Sequence, residues 1–175
     1  MAGRRWGWYQ LSPDWAQRVV EDALVRPGQL VIDVGAGDGA LTLPLLAAGA
    51  RVIAIELHDG RAQRLRDRFC DAELRVVQRD LAEFVFPRRP FRVVANPPYA
   101  LSSLLLRRLL APSSGLVAAD VVLQRGVVAG VLSGRVPGGA RVRRRYSVDQ
   151  GLRLPANAFE PPPSVDSAVL VVRRR

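Results

Sequence analysis

The chain has 175 residues, the size of one domain, and 49% of them are hydrophobic, which excludes a disordered chain. No apolar run is long enough for a membrane span, and the first residues do not form a secretion signal. The net charge is +10, every one of the 26 cations is arginine, and nucleic acid is the expected partner. With one cysteine and one histidine, neither a disulfide nor a metal site is predicted. We expect a cytoplasmic monomer.

Predicted strands and helices alternate through residue 132. The predicted strands are Leu30–Val34, Arg51–Ile55, Leu74–Val77, Phe91–Ala95 and Leu116–Leu123. The predicted helices are Ala40–Ala48, Gly60–Phe69, Leu101–Leu110 and Arg125–Leu132. This alternation is typical of a parallel sheet built from βαβ units. We therefore predict a doubly wound α/β fold in one domain, with a cap segment at 1–28 and the core at 29–135.

The last segment, 136–175, departs from this alternation. Glycines in Val136–Ala140 and the arginine run Arg141–Arg145 predict a mobile basic loop. Tyr146–Leu154 and Ala168–Val172 are predicted strands, joined by the proline-rich segment Phe159–Pro163, which disfavours a helix. Two strands joined without a helix predict an antiparallel hairpin at the edge of the sheet.

A glycine-rich turn, Asp33-Val-Gly-Ala-Gly-Asp-Gly-Ala40, lies between the first predicted strand and helix, where backbone can approach a ligand. Its spacing also satisfies the dinucleotide-binding pattern. The acids Asp33 and Asp38 disfavour a pyrophosphate there and favour a cationic sulfonium such as S-adenosylmethionine. Glu56, which follows the second strand, is placed to bind ribose hydroxyls. Asp80, after the third strand, is placed to bind the amino group of the cofactor's adenine.

A second motif, Asn96-Pro-Pro-Tyr99, follows the fourth predicted strand and falls beside the same crevice. An amino group on a base or an amide is a poor nucleophile because its lone pair is delocalised. The Asn96 side-chain oxygen and the Pro97 carbonyl can accept the amino hydrogens and aim that lone pair at a methyl group. Tyr99 offers a face on which an unpaired base can stack. We predict that Asn96, Pro97 and Tyr99 are catalytic.

These motifs, together with Phe159-Glu-Pro-Pro-Pro-Ser-Val-Asp-Ser-Ala-Val169, make the chain resemble the rRNA adenine N6-dimethyltransferase family, which includes the Erm macrolide-resistance enzymes. The resemblance implies a Rossmann-like class I methyltransferase fold. It also implies that Asn96 and Tyr99 contact the target adenine. The cofactor-binding residues that we predict are Tyr9, Leu11, Gly35, Ala36, Gly37, Glu56, Leu57, Asp80, Leu81 and Asn96.

The chain departs from the family in three places. Trp8-Tyr9-Gln10-Leu11 replaces a Gln-Asn-Phe-Leu element, and Gln124-Arg125-Gly126 lacks an expected acid. The helical C-terminal RNA-contacting domain of the family is not matched, so the chain is similar to short Erm-type members. The arginines predicted to bind RNA are Arg107, Arg108, Arg141, Arg143, Arg144 and Arg145. The implied reaction is N6-methylation of large-subunit rRNA, which gives macrolide-lincosamide-streptogramin resistance.

Several alternatives stay open. The substrate can instead be small-subunit rRNA, and the same motifs serve methylation of a protein glutamine or of adenine in DNA. A non-catalytic RNA-binding module is the remaining alternative. Trp6, Trp8 and Tyr9, beside Arg4 and Arg5, either stack on RNA or pack the N-terminal helix against the core.

Overall fold

A central sheet with helices on both faces organises the protein, whose computed structural model describes residues 9–70, 72–135 and 139–175. The strands are β1 (Gln10–Leu11), β2 (Leu30–Val34), β3 (Arg51–Glu56), β4 (Leu74–Gln78), β5 (Phe91–Ala95), β6 (Leu116–Gln124), β7 (Tyr146–Leu154), β8 (Phe159–Glu160) and β9 (Ser167–Arg174). The helices are α1 (Pro13–Asp22), α2 (Thr42–Ala47), α3 (Asp59–Arg68), α4 (Ser102–Leu109), α5 (Arg125–Leu132) and α6 (Gly139–Arg145).

Seven strands form the sheet in the order β4-β3-β2-β5-β6-β9-β7. The five strands β2 to β6 are parallel, and β9 pairs antiparallel with both β6 and β7. The predicted doubly wound fold and its antiparallel edge hairpin are therefore confirmed. The last strand is internal, because it lies between β6 and the edge strand β7.

Alternating strand residues bury opposite faces of this sheet. In β2, Val31 packs with α1, whose Val19 and Val20 are buried on that side. The next residue, Ile32, packs on the other side with Leu105 of α4. This period of two is what a sheet covered on both faces requires.

The strands β2 to β6 end together at one border of the sheet, which we call the carboxyl edge. The loops after these strands, including the glycine-rich turn and Asn96–Tyr99, meet there. We call the other border the opposite edge. Because β9 is antiparallel, Ser167 at its start pairs with Gln124 at the carboxyl edge, and Arg174 pairs with Tyr146 at the opposite edge.

Two local features differ from the prediction. The mobile loop predicted over Arg141–Arg145 is wrong, because these residues belong to helix α6, which buries Val142 in the main core. Residues 136–138 of that loop lie outside the described residues, as do Trp6 and Trp8. The pairing of β1 with β8 was not predicted; it places Gln10 opposite Glu160 and joins the N-terminal segment to the proline-rich connection.

Among the described residues, no helix has the length and apolar character needed to cross a membrane.

Candidate active site

The glycine-rich turn is shaped for close approach of backbone. Gly35, Gly37 and Gly39 have φ values of +71°, +58° and +89°, a region that side chains with a Cβ rarely adopt. A Cβ added at Gly35 would lie 2.9 Å from Cδ of Pro98. Glycine at position 35 therefore lets the turn after β2 pack directly against the Asn96–Tyr99 loop.

Glu56 fixes the turn from the neighbouring strand. Its side chain is 4% exposed, and its two carboxylate oxygens accept hydrogen bonds from the backbone N–H groups of Gly37 and His58, each at 2.8 Å. A carboxylate oxygen has more than one acceptor site, so Glu56 can still accept ribose hydroxyls while it holds the turn.

A cleft of about 500 Å³ opens at the carboxyl edge beside Glu56. Five predicted cofactor-binding residues line it: Gly35, Glu56, Leu57, Asp80 and Leu81. Asp80 is exposed, and one of its carboxylate oxygens accepts the Ala82 N–H at 2.7 Å. The apolar walls suit a flat ring, and the acids supply hydrogen-bond acceptors at its rim.

Three arginines of the cleft wall were missed as site residues. Arg61, Arg64 and Arg79 line the cleft together with His58. Arg79 had a sequence signal because it directly precedes Asp80, and Arg61 and Arg64 belong to the arginine cluster of the predicted helix Gly60–Phe69. The two residues on α3 reach the cleft because that helix begins immediately after β3.

A smaller pocket adjoins the turn on its other side. Its lining includes the predicted residues Leu11, Gly35, Ala36 and Asn96, together with the unpredicted Gln10. Gln10 reaches this place because β1 is paired with β8, which holds the N-terminal segment over the carboxyl edge. Eight of the ten predicted cofactor-binding residues thus line at least one of the two pockets, and Tyr9 and Gly37 line neither.

Asp33 is the buried acid of the smaller pocket. Its side chain is 1% exposed, and Oδ2 accepts the Thr42 hydroxyl at 2.8 Å. Burial raises the pKa of the Asp33 carboxyl from 3.8 to about 7; the Thr42 hydrogen bond opposes this rise and the charge of Glu56 adds to it. A cation in the pocket would favour the ionised carboxylate.

The position of Asp38 in the turn predicted an acid that favours a cationic ligand, but the structure pairs its carboxylate with an arginine of the protein. Its carboxylate forms an ion pair with Arg64 at 2.8 Å, and Arg68 donates to its backbone carbonyl at 3.2 Å. The charge of Asp38 is therefore balanced by α3, and Asp33 is the acid of the turn that stays without a cationic partner among the described residues.

The Asn96–Tyr99 loop is held from two sides. The amide Nδ2 of Asn96 donates to the backbone carbonyl of Tyr9 at 2.7 Å. The Tyr99 hydroxyl shares a 2.6 Å hydrogen bond with the fully buried Ser167, and its ring lies 5.3 Å from the Tyr9 ring. Burial raises the pKa of the Tyr99 hydroxyl, which keeps it protonated. Ser167 and the Tyr9 carbonyl were not predicted to act here.

Two of the six arginines predicted to bind RNA donate hydrogen bonds to backbone carbonyls of the protein instead. Arg108 donates to the carbonyls of Leu81 and Phe84, so it braces the loop that forms the cleft wall. Arg145 donates to the carbonyls of Pro112 and Ser114. The other four are exposed: Arg107 on α4, and Arg141, Arg143 and Arg144 on α6. Because α6 directly precedes β7, its three arginines lie at the opposite edge, away from Asn96.

The parallel sheet, with a glycine turn after its first long strand and the antiparallel β9 beside β6, has the fold of Rossmann-like S-adenosylmethionine-dependent methyltransferases, which solved structures of such enzymes share. The model of the family described as ribosomal RNA adenine dimethylase matches residues 8–175, and the chain belongs to this family.

Several known proteins resemble the chain. It is 34% identical to ribosomal RNA small subunit methyltransferase A of Methylibium petroleiphilum, over 97% of this chain and 70% of that protein. It is also 34% identical to the mycinamicin-resistance protein MyrB of Micromonospora griseorubida, over 90% of this chain and 51% of that protein. The crystal structure of the 23S rRNA methyltransferase ErmE matches with a TM-score of 0.82 and 26% identity, over 95% of this chain and 70% of ErmE. The chain thus spans between about half and 70% of these proteins.

Proposed function

We propose that this protein methylates N6 of an adenine in rRNA, with S-adenosylmethionine as the methyl donor. The observation that carries the proposal is the orientation of Asn96. Because its Nδ2 is bound to the Tyr9 carbonyl, the amide presents Oδ1 as the acceptor for a substrate amino group. This orientation matches the chemistry that N6 of adenine needs.

The residues present fit S-adenosylmethionine. Asp33 and Asn96 line the smaller pocket, whose volume of about 20 Å³ holds only a water-sized group, so the amino acid group and the sulfonium would have to widen it to reach the buried acid. Glu56 and Asp80 line the larger cleft, where they supply acceptors for ribose hydroxyls and an adenine amino group. When bound, S-adenosylmethionine supplies an electrophilic methyl group. A pyrophosphate would fit poorly, because the acid Asp33 lies buried beneath the turn.

Asn96 and Pro97 would activate the nucleophile. The Oδ1 atom of Asn96 and the carbonyl of Pro97 accept the two hydrogens of the target amino group, so that the nitrogen lone pair points at the methyl group. No strong base is needed, because the nitrogen proton becomes acidic after alkylation and passes to water. Gly35 packs against this loop and limits its movement.

Tyr99 would hold the target base. Its hydroxyl is fixed by Ser167 and its ring lies against that of Tyr9, so an aromatic face is preorganised beside Asn96. A base that is flipped out of a stem or unpaired in a loop can stack there. We propose that the protein acts as a monomer, because the groups that this chemistry needs come from one chain.

Two rRNAs are candidate substrates. Large-subunit rRNA, with macrolide-lincosamide-streptogramin resistance as the consequence, is supported by the similarity to ErmE and to MyrB. Small-subunit rRNA is supported by relatives such as the small subunit methyltransferase A of Methylibium petroleiphilum. We keep large-subunit rRNA as the first candidate and small-subunit rRNA as the second.

The test is transfer of labelled methyl from S-adenosylmethionine to purified large-subunit rRNA, small-subunit rRNA, duplex DNA and a protein extract. Asn96→Ala is the blank, and Asn157→Ala, at an exposed asparagine outside the site, is the matched control. Label recovered as N6-methyladenine in one rRNA confirms the proposal and assigns the substrate. Label only in DNA or protein would replace the substrate. A protein that binds cofactor and RNA but transfers no label would be a binding module.

A further inference from the structure

A basic surface at the opposite edge is not explained by the site described above. Eight exposed arginines belong to it, and we call it the opposite-edge patch: Arg88, Arg89, Arg135, Arg141, Arg143, Arg144, Arg174 and Arg175. They come from four separate stretches of the chain: the loop before β5, the segment after α5, the helix α6 and the end of β9.

Contacts between these stretches make the patch one surface. The segment after α5 lies against α6, since a Cβ at Gly134 would come within 2.5 Å of Nη2 of Arg143. Arg175 donates from its side chain to the Arg143 carbonyl at 3.2 Å and from its backbone to the Arg145 carbonyl at 3.0 Å. Arg145 in turn donates to the Ser114 carbonyl at 2.6 Å. The next residue, Gly115, lies against the loop before β5, since a Cβ there would come within 2.7 Å of the Arg89 carbonyl oxygen.

Acidic residues do not neutralise the patch. Residues 84–175 contain 15 arginines but only four acids: Asp120, Asp149, Glu160 and Asp166. Asp120 is buried between Arg92 and Arg173, and Asp166 pairs with Arg125 at the carboxyl edge. None of the eight patch arginines forms an ion pair with an acid of the described residues. A surface that carries this many arginines without acidic partners attracts a polyanion.

The patch is too far from the active site to contact the target nucleotide. The strand β6 runs from Leu116 at the opposite edge to Gln124 at the carboxyl edge, and at about 3.3 Å per residue it spans roughly 26 Å. Asn96 follows β5, whose last residue, Ala95, pairs with Val121, so it lies about 20 Å from the patch. An RNA that reaches both places must extend well beyond the target adenine.

We propose that the opposite-edge patch binds the phosphate backbone of a second rRNA segment, separate from the segment that presents the target adenine. The identity of the polyanion as rRNA rests on the proposed function. Arginine suits this contact because its planar guanidinium matches phosphate oxygens and stays charged at every physiological pH. The contact is independent of base sequence, so it adds affinity without choosing the adenine.

The experiment compares two RNAs and two triple variants. Arg141→Gln, Arg143→Gln and Arg144→Gln are combined to weaken the patch. The matched control combines Arg18→Gln, Arg66→Gln and Arg75→Gln, which removes the same charge from α1, α3 and β4. Binding is measured against salt concentration for the full-length rRNA that is methylated, and for a short fragment centred on the methylated adenine. If no RNA is methylated, full-length rRNA and a short random fragment take their places.

We expect the patch variant to bind full-length rRNA about tenfold or more weakly than the wild type, with the slope of log affinity against log salt reduced by about two to three. Its binding to the short fragment, and the methylation of that fragment, should stay within about twofold of the wild type. An equal loss on both RNAs, no loss on either, or the same loss in the control variant would overturn the proposal. Failure of the proposed function is seen separately, as the absence of methyl transfer by the wild type.

Discussion

Residues 1–83 and residues 84–175 build the same sheet but differ sharply in charge. The first region has 11 arginines and 12 acids, and the second has 15 arginines and 4 acids, so the second carries the whole net positive charge. The glycine-rich turn, Glu56 and Asp80 belong to the first region, and Asn96 and Tyr99 belong to the second. The acids suited to a small cationic cofactor are therefore separated along the chain from the arginines suited to a polyanion. Both regions nevertheless meet at the carboxyl edge of the sheet.

The largest expected effect comes from Asn96→Ala, which tests whether catalysis belongs to the second region while cofactor binding depends on the first. Loss of the Oδ1 acceptor should lower kcat/KM for methyl transfer by about a thousandfold. The Kd for S-adenosylmethionine, measured by calorimetry, should change less than about tenfold. Asn157→Ala is the control, and near-normal turnover in Asn96→Ala would remove Asn96 from the mechanism.

Asp33→Asn tests the charge of the first region. Because burial raises the pKa of the Asp33 carboxyl to about 7, the folded chain keeps a proton that the unfolded chain has released above about pH 4. The contribution of Asp33 to the free energy of unfolding should therefore fall as pH rises from about 4 to about 7, by a total on the order of 4 kcal/mol. Urea unfolding at several pH values should show that Asp33→Asn lacks this decline. Asp67→Asn, at an exposed position on α3, should keep it, and a decline that persists in Asp33→Asn would contradict the assignment.

Ser167 is expected to act through Tyr99. Ser167→Ala and Tyr99→Phe each remove one partner of the 2.6 Å hydrogen bond, so each should reduce methyl transfer by about three- to tenfold. The effect should fall on KM for RNA more than on the Kd for cofactor, because the ring is placed for the substrate base. The double variant should be no worse than either single variant, and Ser167→Thr, which keeps a hydroxyl, should restore part of the loss. Effects that simply add would show that the two residues act separately.

The smallest expected effect concerns Leu24, which lies outside both sites. This residue is 75% exposed and has a φ of +52°, a left-handed conformation that costs a leucine about 1–2 kcal/mol. Leu24→Gly should raise the free energy of unfolding by about 0.5–1 kcal/mol after the entropy loss of glycine is included, with activity unchanged. Leu24→Ala keeps the Cβ and should give no gain. A gain of the same size from alanine would mean that exposure of leucine, not its backbone conformation, is the cause.

Most of the fold could be predicted because its strong signals are local. Strands β2 and β5 match their predicted bounds, Leu30–Val34 and Phe91–Ala95, since in each four of the five residues are apolar and a glycine or proline turn follows. The carboxyl edge follows from this alternation, and with it the convergence of Gly35, Glu56 and Asp80. These positions depend only on where each strand ends.

The parts that could not be predicted depend on distant contacts. Strand β1 has two residues and pairs with β8 about 150 positions away, so it leaves no periodic pattern. Helix α6 was predicted as a loop because its only buried anchor, Val142, lies inside an arginine run. The Asp38–Arg64 ion pair joins residues 26 positions apart. It connects the turn before α2 to the middle of α3, and no sequence spacing predicts such a contact.

The bond from Asn96 to Tyr9 ends on a main-chain atom, and this has a consequence for how the N-terminal segment tolerates substitution. Every amino acid supplies a carbonyl at position 9, so a change of side chain leaves that acceptor in place. What must be kept is the path of the chain, which is set two residues later where Leu11 pairs with Phe159 and is 1% exposed. The replacement of the family's Gln-Asn-Phe-Leu element by Trp8-Tyr9-Gln10-Leu11 is therefore compatible with an intact acceptor. At this position the side chain can change while the path of the backbone, and with it the carbonyl acceptor, is kept.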